Sequence, residues 1–148
     1  MKKLTIILSA LILAISASAF TKDETVSAKV KAAFQKTFTS ATDVYWKKVN
    51  EFYLANFRIN DQSLSAAYDE DGKLISASRS VTLAELPLAV SFCLKNQFEG
   101  YTFQNIATEI TLDGETSYYI NAENTKRAVT IKATGSGESS IVKKAKKK

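Results

Sequence analysis

The chain predicts an α+β fold of two helix-plus-antiparallel-sheet repeats, with the helices packed on one face of the sheet. Three observations predict it. Apolar residues recur at helical spacing up to Phe38, the period changes to two over residues 43–81, and helix followed by strands returns over residues 82–133.

The first helix is expected from about Asp23 to Phe38. Thr21-x-x-Glu24 has the form of a capping box, in which each side chain satisfies an amide left free at the helix start. Val26, Val30, Phe34 and Phe38 recur every four residues and form one apolar stripe, with Lys29, Lys31 and Lys36 directed away from its centre.

Three turn signals, Asn50-Glu51, Asn60-Asp61 and Asp71-Gly72, cut residues 43–81 into four strands. If each is a two-residue turn, Val49 faces Phe52, Ile59 faces Gln62 and Glu70 faces Lys73. That register collects Val44, Trp46, Tyr53, Ala55, Phe57, Ile59, Leu64, Ala66, Tyr68, Ile75, Ala77 and Val81 on one face. The other face receives Tyr45, Lys47, Asn56, Arg58, Ser63, Ser65, Ser76 and Ser78. A slip of one residue would mix the two sets, so their separation supports the register.

A second helix is expected after Thr82-x-x-Glu85, again a capping-box pattern, with Pro87 in its first turn and Gly100 ending it. Val90, Cys93, Leu94 and Phe98 carry its buried stripe. Residues 101–112, 115–123 and 126–133 read as three further strands, with Asp113-Gly114 as a hairpin turn. Their register stays open, because Ile106, Ile110 and Leu112 compete with Tyr118, Ile120 and Ile131 for the core. The repeats are thus expected at about 20–81 and 82–133. Residues 134–148, rich in Gly and Ser and then in Lys, are expected to be a loose tail.

Residues 1–19 read as a cleavable leader. Lys2 and Lys3 precede the apolar run Leu4 to Ile15, and Ala17-Ser18-Ala19 offers a small-x-small cleavage site before Phe20. The expected location is periplasmic or secreted, with no membrane span after cleavage. The net charge of +5 falls to +3 on removal of the leader, and residues 20–142 carry −2, so the excess of positive charge lies at the end of the chain. A nucleic-acid-binding face, which needs Lys and Arg spread over a folded surface, is not expected. Cys93 is the single cysteine, so no intramolecular disulfide forms.

The chain contains no histidine, which removes Ser-His-Asp and Cys-His catalysis and the commonest metal ligand together. With five glycines it has no phosphate-cradling loop. Asp69-Glu70-Asp71-Gly72 lacks the later ligands of a calcium loop and reads as a charged hairpin tip. Glu51, Glu109 and Glu115 are the acids near aromatic residues, and nothing in their spacing pairs them. No catalytic residue, metal site or cofactor is expected, and the chain is not expected to be an enzyme.

Several runs resemble one family. Val44-Tyr45-Trp46, Phe52 to Phe57, Ala67 to Leu74, Leu86 to Val90 and Phe98-Glu99-Gly100-Tyr101 are similar, in order and spacing, to the PepSY-like proteins. These are also called the β-lactamase-inhibitor-like family, small exported proteins of Bacteroidetes-type bacteria. The resemblance covers about residues 26–133. It departs at Thr39-Ser40, where a proline is usual, and at Thr134-Gly135-Ser136-Gly137, which replaces a second Asp-x-Asp-Gly-type turn. It implies a repeated helix-plus-sheet fold and brings no catalytic residues or cofactor.

The candidate site is a protein-binding face of the first sheet segment, made of Tyr45, Lys47, Phe52, Leu54, Arg58 and Leu74. Aromatic and aliphatic anchors beside an arginine are what such surfaces tend to carry. The expected function is an exported binding module, with an inhibitory role among its options and an unidentified envelope or secreted protein as partner. The alternative is a structural envelope protein held by its basic tail, with Lys143, Lys144, Lys146, Lys147 and Lys148 touching anionic surfaces through charge.

Overall fold

The computed structural model describes residues 26–147, so the leader and the Thr21-x-x-Glu24 pattern lie outside the described residues. Helix α1 (Ala28–Thr37) is followed by β1 (Thr42–Val49), β2 (Phe52–Ile59), β3 (Gln62–Tyr68) and β4 (Leu74–Thr82). A 3₁₀ turn (Leu83–Glu85) leads to α2 (Leu88–Gln97), β5 (Thr102–Leu112), β6 (Glu115–Glu123), β7 (Arg127–Thr134) and β8 (Ser139–Lys146). The strands make one antiparallel sheet in chain order, from β1 at one edge to β8 at the other. The architecture is α+β, dominated by its sheet, and consists of a helix and four strands used twice.

Helix α1 is capped within the described residues by Ser27, whose hydroxyl accepts the Val30 N–H at 3.3 Å. It ends where the Phe38 N–H bonds the Phe34 carbonyl at 2.8 Å. The second helix starts later than its capping-box pattern suggested. Thr82 and Glu85 do engage, the Glu85 carboxylate accepting the Thr82 N–H at 2.7 Å and its hydroxyl at 2.8 Å, but they close the 3₁₀ turn. Pro87 holds Leu86 in extended backbone, so α2 begins only at Leu88.

Two of the three predicted turns have the expected register, with Val49 opposite Phe52 and Ile59 opposite Gln62. The third differs at its tip. The Asp69 N–H bonds the Lys73 carbonyl, Tyr68 faces Leu74, and Glu70 does not pair with Lys73. Asp69 causes this, since its carboxylate accepts the N–H groups of Asp71 at 3.0 Å and Lys73 at 2.8 Å and tightens a five-residue loop. A bulge beside Tyr68 absorbs the offset, and Ala67 still meets Ser76 as the two-residue turn required.

Both helices lie on the same side of the sheet, each over its own core. Val26, Val30 and Phe34 pack on Trp46, Tyr53, Ala55, Phe57, Ala66 and Tyr68. Leu86, Val90, Cys93, Leu94 and Phe98 pack on Val81, Ala107, Tyr118, Ile120, Ala122, Val129, Ile131 and Ala133. Between the cores, where β4 meets β5, Arg79 and Glu109 stand opposite each other. The guanidinium grips the carboxylate with two bonds, Nε to Oε1 at 2.7 Å and Nη2 to Oε2 at 3.2 Å. That pair joins the repeats across their seam.

The expected loose tail is corrected by β8. Residues 134–138 form a tight turn, with the Gly137 N–H on the Thr134 carbonyl at 2.9 Å and the Thr134 N–H on the Glu138 carbonyl at 2.8 Å. The chain then pairs along the whole of β7, and Ile141 packs against the second core. The second repeat therefore runs to Lys146, beyond the expected end at 133. Backbone pairing and one apolar contact order a segment whose composition is that of a linker. Cys93 is buried as expected, its thiol donating to the Ser139 hydroxyl at 3.0 Å and tying α2 to β8. Among the described residues no helix is long and apolar enough to cross a membrane.

Candidate protein-binding face

Three rows of cross-strand neighbours cross the middle of the sheet face that lies away from the helices. Lys47, Leu54, Ala67, Ser76 and Leu112 form one, and Tyr45, Asn56, Ser65, Ser78, Ile110 and Ser117 the next. The third contains Arg58 and Ser63 from the first repeat and Ser80, Thr108, Tyr119 and Lys132 from the junction and the second. Period-two alternation puts them there, since their strand neighbours face the two cores.

Small side chains occupy the middle of this face. Ala67, Ser76 and Ser78 are buried although both described helices pack on the opposite side. The Ser65 hydroxyl donates to the Asn56 carboxamide oxygen across this face at 2.7 Å.

Five of the six predicted anchors lie on this face by register, whereas Leu74, past the β4 bulge, stands opposite Tyr68 of the first core. Tyr45 is 53% exposed and Leu74 37% exposed, Phe52 is half-buried, and Lys47 is exposed. Arg58 is exposed and turned toward its own hairpin, bonding the Asp61 carbonyl at 3.0 Å and its carboxylate at 3.3 Å. Leu54 departs from expectation. At 4% exposed it is buried between Lys47 and Ala67 in its row and offers little contact surface of its own.

The second repeat contributes residues that sequence reasoning did not assign. Ile110 and Tyr119 are buried on this face, which explains why the apolar residues of β5 seemed to compete with those of β6: β5 supplies Ala107 to the core and Ile110 to the opposite side. The Tyr119 hydroxyl is buried without a hydrogen-bond partner, and burial raises its pKa. A folded pKa above the unfolded value of about 10 gives stability that is whole below that pH and is lost as pH rises through the folded value. Tyr119→Phe is therefore expected to cost nothing, or to stabilise by up to about 1 kcal/mol, and to flatten the alkaline fall in stability. Urea titrations at neutral pH and above pH ~10 check both parts.

Elsewhere, the Asp69–Gly72 loop uses its carboxylates internally. Asp69 holds the turn and Asp71 pairs with Lys29 at 2.8 Å, which keeps Asp71 below the usual carboxylate range and Lys29 above the usual amine range. Glu109 is committed to Arg79, and neither Glu51 nor Glu115 joins it in that pair. On the outer side of α2, Leu88 and Phe92 are 77% and 63% exposed, an apolar pair one helical turn apart that the buried-stripe reading passed over.

No protein-family model matches the chain, nor does any curated protein. Solved structures do match. A DUF2874 family protein from Bacteroides uniformis superposes with a TM-score of 0.70 at 21% identity, over 81% of this chain and 88% of that one. A second DUF2874 family protein, from Bacteroides ovatus, gives 0.71 at 16% identity, over 84% and 89%. A BLIP-like protein from Bacteroides fragilis gives 0.70 at 13%, over 84% and 88%. The likeness establishes a shared fold with these Bacteroides proteins, the group to which the sequence resemblance pointed.

Proposed function

We propose that the chain is an exported, non-enzymatic binding module that seats a protein partner on its open sheet face. The observation that carries this reading is the combination of small buried side chains at the centre with exposed Tyr45 and Lys47 and half-buried Phe52 on the surrounding surface. A projecting loop can lie across such anchors and bury them without displacing any described element. The fold shared with a BLIP-like protein supports a binding role. The leader pattern of residues 1–19 supports work in the periplasm or outside the cell.

Because Leu54 is buried, replacing it would confuse binding with folding. The cleaner variant is Lys47→Glu with Tyr45→Ser, both exposed. Capture of a partner from native envelope extract is expected to fall at least about tenfold, with the melting temperature within a few degrees of the parent. Undiminished capture by this variant overturns the open face as the binding site.

A further inference from the structure

Charge is divided sharply along the chain. Residues 26–123 hold nine Lys and Arg against twelve Asp and Glu, a net of −3. Residues 124–147 hold Lys126, Arg127, Lys132, Lys143, Lys144, Lys146 and Lys147 against Glu138 alone, a net of +6. Strand pairing turns this stretch of sequence into a surface. Lys146 stands opposite Arg127, Lys144 opposite Val129 and Lys143 opposite Thr130. The Lys147 N–H bonds the Lys126 carbonyl at 3.2 Å, which brings the β6–β7 turn beside the end of β8.

Some of these cations are occupied. Lys147 pairs with Glu123 at 2.8 Å, and Arg127 donates to the Tyr101 hydroxyl at 2.6 Å while lying over its ring. Lys126, Lys143, Lys144 and Lys146 are exposed and have no acidic partner among the described residues. Lys143 projects on the open side of the sheet and Lys144 and Lys146 on the helix side, so the ammonium groups fringe the outer edge on both sides.

We infer that the β8 edge, together with Lys126, docks on the anionic headgroups of a phospholipid bilayer. Lysine is a compact point charge, suited to scattered phosphates more than to a shaped bidentate site. Cations splayed to both sides of a strand edge match an extended anionic surface better than a single small anion. The docking uses none of the six predicted anchors, so it stands or falls separately from the protein-binding proposal.

The test is sedimentation of the chain from Phe20 onward with vesicles of about 30 mol% phosphatidylglycerol in phosphatidylcholine, against phosphatidylcholine alone. Binding is expected only to the anionic vesicles at about 50 mM salt, and to disappear at about 500 mM. At roughly 1 kcal/mol per cation, K126Q alone weakens binding about fivefold. The combined K126Q, K143Q, K144Q and K146Q weakens it at least about a hundredfold, with an unchanged circular dichroism spectrum. A K126Q variant that binds like the parent overturns the joint surface and leaves a tail acting alone. Equal binding to both vesicles, or a quadruple variant that binds normally, overturns the inference. So does parent protein that ignores the vesicles while binding heparin, or a quadruple variant that merely self-associates where the parent never bound lipid.

Discussion

Phe34→Ala is expected to destabilise the protein by about 3–5 kcal/mol, enough to unfold much of the population at moderate temperature. Phe34 is the hub of the first core. Its ring centre lies 5.0 Å from that of Phe57, 5.2 Å from Trp46, 5.4 Å from Phe38 and 6.3 Å from Tyr68, mostly edge-on. Truncation removes the side chain through which α1 touches three strands and leaves a void that Ala33 and Thr37, on neighbouring positions of the helix, cannot fill. Denaturant unfolding followed by tryptophan fluorescence measures the loss, since Trp46 is one wall of the void. A loss below about 1 kcal/mol would mean that α1 contributes little to the fold.

Gly137→Ala is expected to cost at least about 2 kcal/mol, far more than its single added carbon suggests. Two causes combine. Gly137 has φ +91°, a region L side chains rarely adopt, and an added Cβ would lie 2.7 Å from the Ala89 carbonyl oxygen. Gly114 provides the control. It has φ +84° in its own hairpin but nothing within 4 Å of an added Cβ, so Gly114→Ala should show the backbone cost alone, about 1 kcal/mol. Paired thermal denaturations test the difference, and equal costs would remove the packing of this turn on α2 from the account. Hydrogen exchange in Gly137→Ala should rise first in β8, because this turn sets its start.

Alternation and turn chemistry made the first repeat legible almost residue by residue. Asn50-Glu51 and Asn60-Asp61 specified registers that the sheet adopts, and the apolar set from Val44 to Tyr68 faces α1. The departure at Asp69 comes from a side chain bonding its own loop, which alternation cannot register. The second repeat was less legible because apolar residues occupy both faces of β5, and a bulge between Phe103 and Ala107 interrupts its period. Strand β8 was hidden by composition, although the four strands of the first repeat implied a fourth in the second. Arg79 stood in the sequence as a charge between Ala77 and Val81, two positions of the core-facing set. Its partner Glu109 lies 30 residues away on β5, so only the pairing of the repeats brings them together. On the candidate face, membership was readable from the register except at Leu74, past the β4 bulge. The division into exposed anchors and a buried one was not, because the burial of Leu54 depends on neighbours from other strands.

The strict chain order of the eight strands bears on how quickly the molecule can assemble. Every strand pairs with the one made immediately before or after it, and only the β4–β5 pairing has to span a helix. Each hairpin closes a short loop, so little chain entropy is lost before contacts begin to compensate for it. Assembly can start from either half and spread outward, with no crossover strand to thread and, with a single cysteine, no intramolecular bridge to form or reshuffle. Apart from the β4–β5 pairing, the unfolded chain reaches this shape through hairpins between strands adjacent in sequence.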